Sequence, residues 1–421
     1  SVPAPGAPQA APGGHHTAPG KGGAKSRYKA KHWTAASIRH LVLQYGAPDV
    51  LETIGSADSS PTDVKAAHDL MVASGDWNKT ITALPAGTNM GRRTRAALYH
   101  VIDAHAVDVN EAKKLFNLRF QHAAADTAGA NWTYENLRLV WKQLDPLPDS
   151  DVTRNTALTT FQAIAGGGAF GPSWESPKTV NTIQMGQGNA PGDIPHTVRH
   201  EVGHAVHTEI PGPINTWLQS EVHVWFDQGT TGGIEGWLSN VADFPKDWMD
   251  AAGNKKPFTA TEKTKVVAMV QSFLGGGSSW SPSRPTVDGG QPPDDAALWK
   301  SMPHAMQNAA TQSKTNWYSN WRHFQKGKDG KKYFLNYWYA RPFYFGTTAD
   351  RIIQATGDDY TAMSEKEFFA NCYAEYFANP QGANDHSKWG GKLPGDVKTF
   401  FAQMIVDREP YKNAKDRKKH T

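Results

Sequence analysis

The chain has 421 residues, 38% of them hydrophobic, enough for two or three domains with a buried core. Its 44 basic and 40 acidic residues leave a net charge of +4, too even a balance for nucleic acid to be the main partner. The single cysteine, Cys372, excludes an internal disulfide framework and a cysteine-built zinc site.

Residues 1–27 are rich in Pro, Gly and Ala and almost lack large apolar side chains, so a disordered leader is expected. No Sec-type signal core is visible in them, and delivery by other machinery stays open. Residues 28–150 then read as an all-helical N-terminal domain. "TAASIRHLVLQYG" runs from a capping Thr34 to Gly46, and "SPTDVKAAHDLMVASG" from Ser60 or Thr62 to Gly75. "GRRTRAALYHVIDAHA" and "NEAKKLFNLRFQHAAA" continue at helical spacing. "TYENLRLVWKQLDPLP" closes the region at Pro146 and Pro148.

Two strands are expected next, from "ALTTFQAIAGGGAFG" and "KTVNTIQMGQG". The second immediately precedes a helix and suits an edge strand that binds an extended substrate through its backbone. Residues 210–355 carry many Trp and glycine-rich loops. Within them "HFQKGKDGKKYFLNYWYARPFYF" reads as an aromatic hairpin turning at Asp329-Gly330, with no third strand evident. "SEKEFFANCYAEYFANP" and "PGDVKTFFAQMIV" read as amphipathic helices before a basic tail, residues 411–421. The most apolar run, "VVAMVQSFL", is far short of the ~20 residues that span a membrane.

The chemistry concentrates in "DIPHTVRHEVGHAVHTEIPGP", where "HEVGH" sets His200 and His204 one helical turn apart. Two imidazoles so placed can both reach one zinc ion, and Glu201, about 100° around the axis, can take a proton from water held there. Asp193 suits the N-cap, Pro195 the first turn, and the "PGP" of 211–213 the stop. A chance H-E-x-x-H in such a chain has a probability of roughly 0.03. His207 lies ~10 Å beyond His200 along a straight helix, too far to share its metal. His196 and His207 are therefore expected as hydrogen-bonding or surface residues. The pattern that folds a third His back fails at Val206 and Ile210. A third ligand must come from elsewhere, and Glu221, His223 and Glu367 are the candidates.

"HEVGH" taken with "Y-x6-E-F-F-A" resembles the peptidase domain of anthrax lethal factor and related zincin domains of bacterial toxins and injected effectors. The resemblance covers roughly residues 135–210 and 358–405, with 210–355 as a large insertion. It implies Glu367 as third zinc ligand and Tyr360 as a catalytic donor. The sequence departs from the family at Asn371, where the family has Glu. The implied protein is a zinc-dependent endopeptidase, secreted or delivered into a target cell, with a protein or peptide substrate and possible delivery machinery as partners. The implied fold is α+β: a zincin-like domain over 151–410, built on a small sheet and the HExxH helix. A zinc amidase acting on cell-wall material, or a non-catalytic component with a structural metal, fits the same histidines.

Overall fold

The computed structural model describes residues 61–171, 181–218, 247–262, 347–362, 365–378 and 387–406, with shorter stretches at 264–265, 297–298, 325–326, 332–336 and 341–345 and single residues 36 and 51. The expected leader, the tail, Glu221, His223 and nearly all of the helix over 34–46 lie outside these residues. Among the described residues the fold is mixed α+β, with ten α-helices and a small mixed sheet. No helix among them is long and apolar enough to cross a membrane. The chain divides into two compact units. One runs through Glu209 and takes in Tyr373–Lys388 and Thr399 onward; the other comprises Ile210–Cys372 and Trp389–Lys398.

The first unit opens with α1 (Pro61–Ala73) and α2 (Asp76–Thr82). Gly75 between them has φ +72, a left-handed conformation that ends one helix and lets the next begin at once. α3 (Arg92–Asp103) and α4 (Val109–Phe120) follow. Asp108 caps α4 by accepting a hydrogen bond from the Glu111 N–H at 2.8 Å. α4 stops at Gln121, whose φ of +60 turns the chain out of the helix. The residues after it, expected to continue the helix, instead form strand β1 (Ala123–Ala125). The segment before residue 150 is therefore not purely helical. α5 (Tyr134–Leu144) is capped by Thr133, which accepts from the Asn136 N–H.

The glycine-rich stretch holds two strands, not one: β2 (Thr160–Ile164) and β3 (Gly168–Gly171). With β4 (Thr182–Gly186) they complete a sheet ordered β1-β2-β4-β3. β1, β2 and β4 are parallel, and β3 runs antiparallel to β4, pairing Gly168 with Met185 and Gly171 with Thr182. The strand immediately before the HExxH helix is thus an inner strand, and β3 is the edge. Four of the five residues of β4 are buried, as suits a strand flanked on both sides. The core packs Phe116, Phe120, Trp141 and Phe161 edge to face. Arg119, almost wholly buried, donates to Asp145 at 3.0 Å, and Arg95 makes a forked pair with Asp149.

Helix α6 (Ile194–Glu209) ends the continuous part of this unit. The second unit begins with α7 (Pro211–Trp217) and contains the hairpin β5 (Asp247–Met249) and β6 (Lys255–Pro257). The aromatic segment forms β7 (Gln325–Lys326), β8 (Lys332–Asn336) and β9 (Arg341–Phe345). β9 pairs antiparallel with β8, so the expected hairpin has a third strand. α8 (Thr347–Thr356), α9 (Glu365–Tyr376) and α10 (Gly395–Phe400) follow. The division between units passes through α9 at Tyr373. α9 is buried continuously from Glu367 to Glu375, so it is an interior helix rather than an amphipathic one.

Candidate metal centre

Helix α6 is specified locally and buried globally. Asp193 stands just before it and Pro195 occupies its first turn, where a missing N–H costs nothing. Val198, Val202, Ala205 and Val206 are fully buried and fix the helix in the unit. The remaining faces carry two adjacent rows one step apart: His196, His200 and His204, and beside them Thr197 and Glu201.

The Nε2 atoms of His200 and His204 lie 3.1 Å apart, with the rings nearly perpendicular at 89°. Two imidazoles on one tetrahedral zinc, each bonded at ~2.0–2.1 Å, would hold their nitrogens about 3.3–3.4 Å apart. The pair stands within a few tenths of an ångström of that spacing. One ligand atom from each of His200, Glu201 and His204 falls within 4.8 Å of the others. Among the described residues this is the group of three such side chains compact enough to hold an ion. Two imidazoles and a carboxylate suit zinc and related first-row ions and not an all-oxygen ion such as Mg²⁺. His200 and Glu201 are buried and His204 is half-buried.

Around this group sit His196 and His207, expected as hydrogen-bonding or surface residues, together with Arg199 and Glu375. Glu375 of α9 places Oε1 3.4 Å from His196 Nδ1. The same carboxylate accepts hydrogen bonds from Ser387 Oγ and from the Lys388 N–H at 2.8 Å. Burial holds the His196 imidazole below its ordinary pKa range, against the opposing pull of Glu375. Arg199, 1% exposed, donates from Nε to the Ala374 carbonyl at 2.9 Å and from Nη1 to Gln143 Oε1. It joins α6 to α5 and to the last turns of α9. His207 is buried, not a surface residue. His196 was expected to hydrogen-bond or lie at the surface; nothing in the local pattern marks Glu375 as its neighbour.

Of the other expected site residues, Glu367 lies in the first turn of α9 and is 7% exposed. Tyr360 occupies a 3-10 turn, Asp359–Ala362, and is 39% exposed. Both belong to the second unit. Asn371, where the resemblance has Glu, donates to Thr361 Oγ1 at 3.0 Å. Comparison of the chain with protein-family models, with curated proteins and with solved structures finds no match.

Proposed function

We propose that the chain is a zinc-dependent endopeptidase. The observation that carries this reading is the 3.1 Å approach of two Nε2 atoms with the Glu201 carboxylate beside both. His200 and His204 would hold the ion, with Glu367 as third ligand. When bound, the ion supplies Lewis acidity, polarising a peptide carbonyl and acidifying water. Glu201 accepts the proton of the attacking water and delivers it to the leaving amine. The Tyr360 hydroxyl donates to the oxygen on which charge develops, a contribution commonly about 10²–10³ in turnover. As the edge strand among the described residues, β3 would offer backbone groups to an extended peptide.

Glu367 and Tyr360 are carried by the motif "Y-x6-E-F-F-A" and by the burial of Glu367. The cellular setting, a secreted or injected toxin or effector, is carried by the resemblance alone. The test is a pair of variants measured for zinc affinity and for cleavage of a casein-like protein. Glu201→Gln keeps the metal and loses about 10²–10⁴ in turnover. Glu367→Ala weakens zinc binding itself. A Glu201→Gln protein that cleaves as fast as its parent ends the reading.

A further inference from the structure

The edge strand meets the HExxH helix at a residue without a side chain. A Cβ built on Gly168 would sit 2.5 Å from Thr197 Cγ2 and 3.5 Å from Glu201 Oε1. Thr197 and Glu201 are one turn apart in the same row, so Gly168 lies against the row that ends in the proposed base. A helical Thr has only two open χ1 wells, which limits how far its methyl can retreat.

The approach is held from behind by a clamp of short residues. Asn189 bonds both polar groups of Gly167: Oδ1 accepts from its N–H and Nδ2 donates to its carbonyl, each at 2.9 Å. The Gly186 N–H donates to the same carbonyl at 2.8 Å. Gly167 has φ +82, which a side chain would strain. A Cβ on Gly186 would fall 2.5 Å from the Gly167 carbonyl oxygen and 2.6 Å from Asn189 Oδ1. The strand therefore cannot drift away from α6 when the contact at Gly168 tightens.

We propose that Gly168, held through the bonds of Asn189 to its neighbour Gly167 and set against Thr197, is a positioning residue that fixes where the Glu201 carboxylate stands beside the metal. The proposal rests on the peptidase reading. An added methyl at 168 displaces the Thr197–Glu201 row and leaves the His200–His204 row, one step around the helix, in place.

The experiment compares the parent, Gly168→Ala and Gly168→Ala/Thr197→Ser in the full chain, each loaded with zinc or with cobalt. In Gly168→Ala, zinc affinity by chelator competition stays within about threefold, while turnover falls about 10–100-fold. The visible bands of bound cobalt shift, since groups just outside the ligands tune the metal's surroundings. Removing the Thr197 methyl in the double variant restores the bands and brings turnover back within about threefold of the parent. A single variant that fails to fold beside a folded, active double variant carries the same meaning. Parental bands and turnover in Gly168→Ala overturn the proposal, as does a double variant that remains impaired or unfolded. A parent that binds cobalt yet cleaves no protein overturns the peptidase reading alone, because the bands still judge Gly168. A parent that binds no metal overturns both.

Discussion

Helices α5 and α6 pack on one another and differ in the polar residues they bury: two amides, Asn136 and Gln143, in the first, and ionisable side chains in the second. α5 follows the rule of a surface helix: Leu137, Val140, Trp141 and Leu144 point inward, and Glu135 stays in water. α6 puts Arg199, His200, Glu201 and His207 among its buried residues. Burying such groups costs free energy that their partners must offset, so α6 is the costlier of the two helices to bury. Arg199 meets Gln143 and Ala374, and His196 stands 3.4 Å from Glu375, at the flanks of the row. At the centre of the row stand two imidazoles and a carboxylate, the group in which the proposed ion would sit.

The contrast breaks if the two helices respond alike to substitution. Glu201→Gln is the larger effect: turnover collapses as stated above while the melting temperature stays near that of the parent, since the amide keeps the volume. Trp141→Ala is its mirror image. Trp141 is fully buried and packs edge to face on Phe116 and Phe120, so truncation costs about 3–5 kcal/mol of stability. Denaturant unfolding measures that loss, and the fraction still folded binds zinc as the parent does. A Trp141→Ala protein with intact stability and weakened zinc binding would erase the distinction between the helices. Thr133→Ala sharpens it at lower cost. Losing the cap on the Asn136 N–H removes about 1 kcal/mol from α5 and leaves turnover unchanged.

What the sequence made legible follows the same division. α1, α3, α4 and α5 were readable because their apolar spacing and caps are local signals. That His200 and His204 come together was readable because residues four apart share one face of a helix. β1 was not, since Ala123–Ala125 has weak strand preference and follows a helix that only the left-handed Gln121 ends. β3 was hidden in a run of glycines, which reads as a loop until its pairing with β4 is seen. α9 looked amphipathic because charged and amide residues recur in it, yet Asn371 and Glu375 are buried and bonded to Thr361 and to Ser387 and Lys388. Partners so far apart in sequence leave no local trace.

The smallest expected effect is a slope in pH, and it isolates a buried histidine of the stability-bearing half. His122 follows the end of α4, is 5% exposed, and donates from Nε2 to the Val152 carbonyl at 2.7 Å. Burial lowers its pKa, and its bonds to backbone carbonyls only partly oppose that. The unfolded chain, with an imidazole near its ordinary pKa of about 6.5, therefore takes up a proton before the folded chain does. Stability from this group is intact above that value, declines as pH falls below it, and levels off once pH passes the folded pKa. His68, His100 and His196 are also lowered, so the parent's total acid loss belongs to several groups. His122→Gln separates one of them: its stability, measured by urea unfolding from pH 8 to 5, should fall less steeply than the parent's. Because His122 lies on the α5 side of the contrast, zinc affinity of the folded protein should differ between parent and variant by no more at pH 6 than at pH 8. Parallel stability curves would mean that His122 is protonated equally readily in both states and that its burial carries no electrostatic cost.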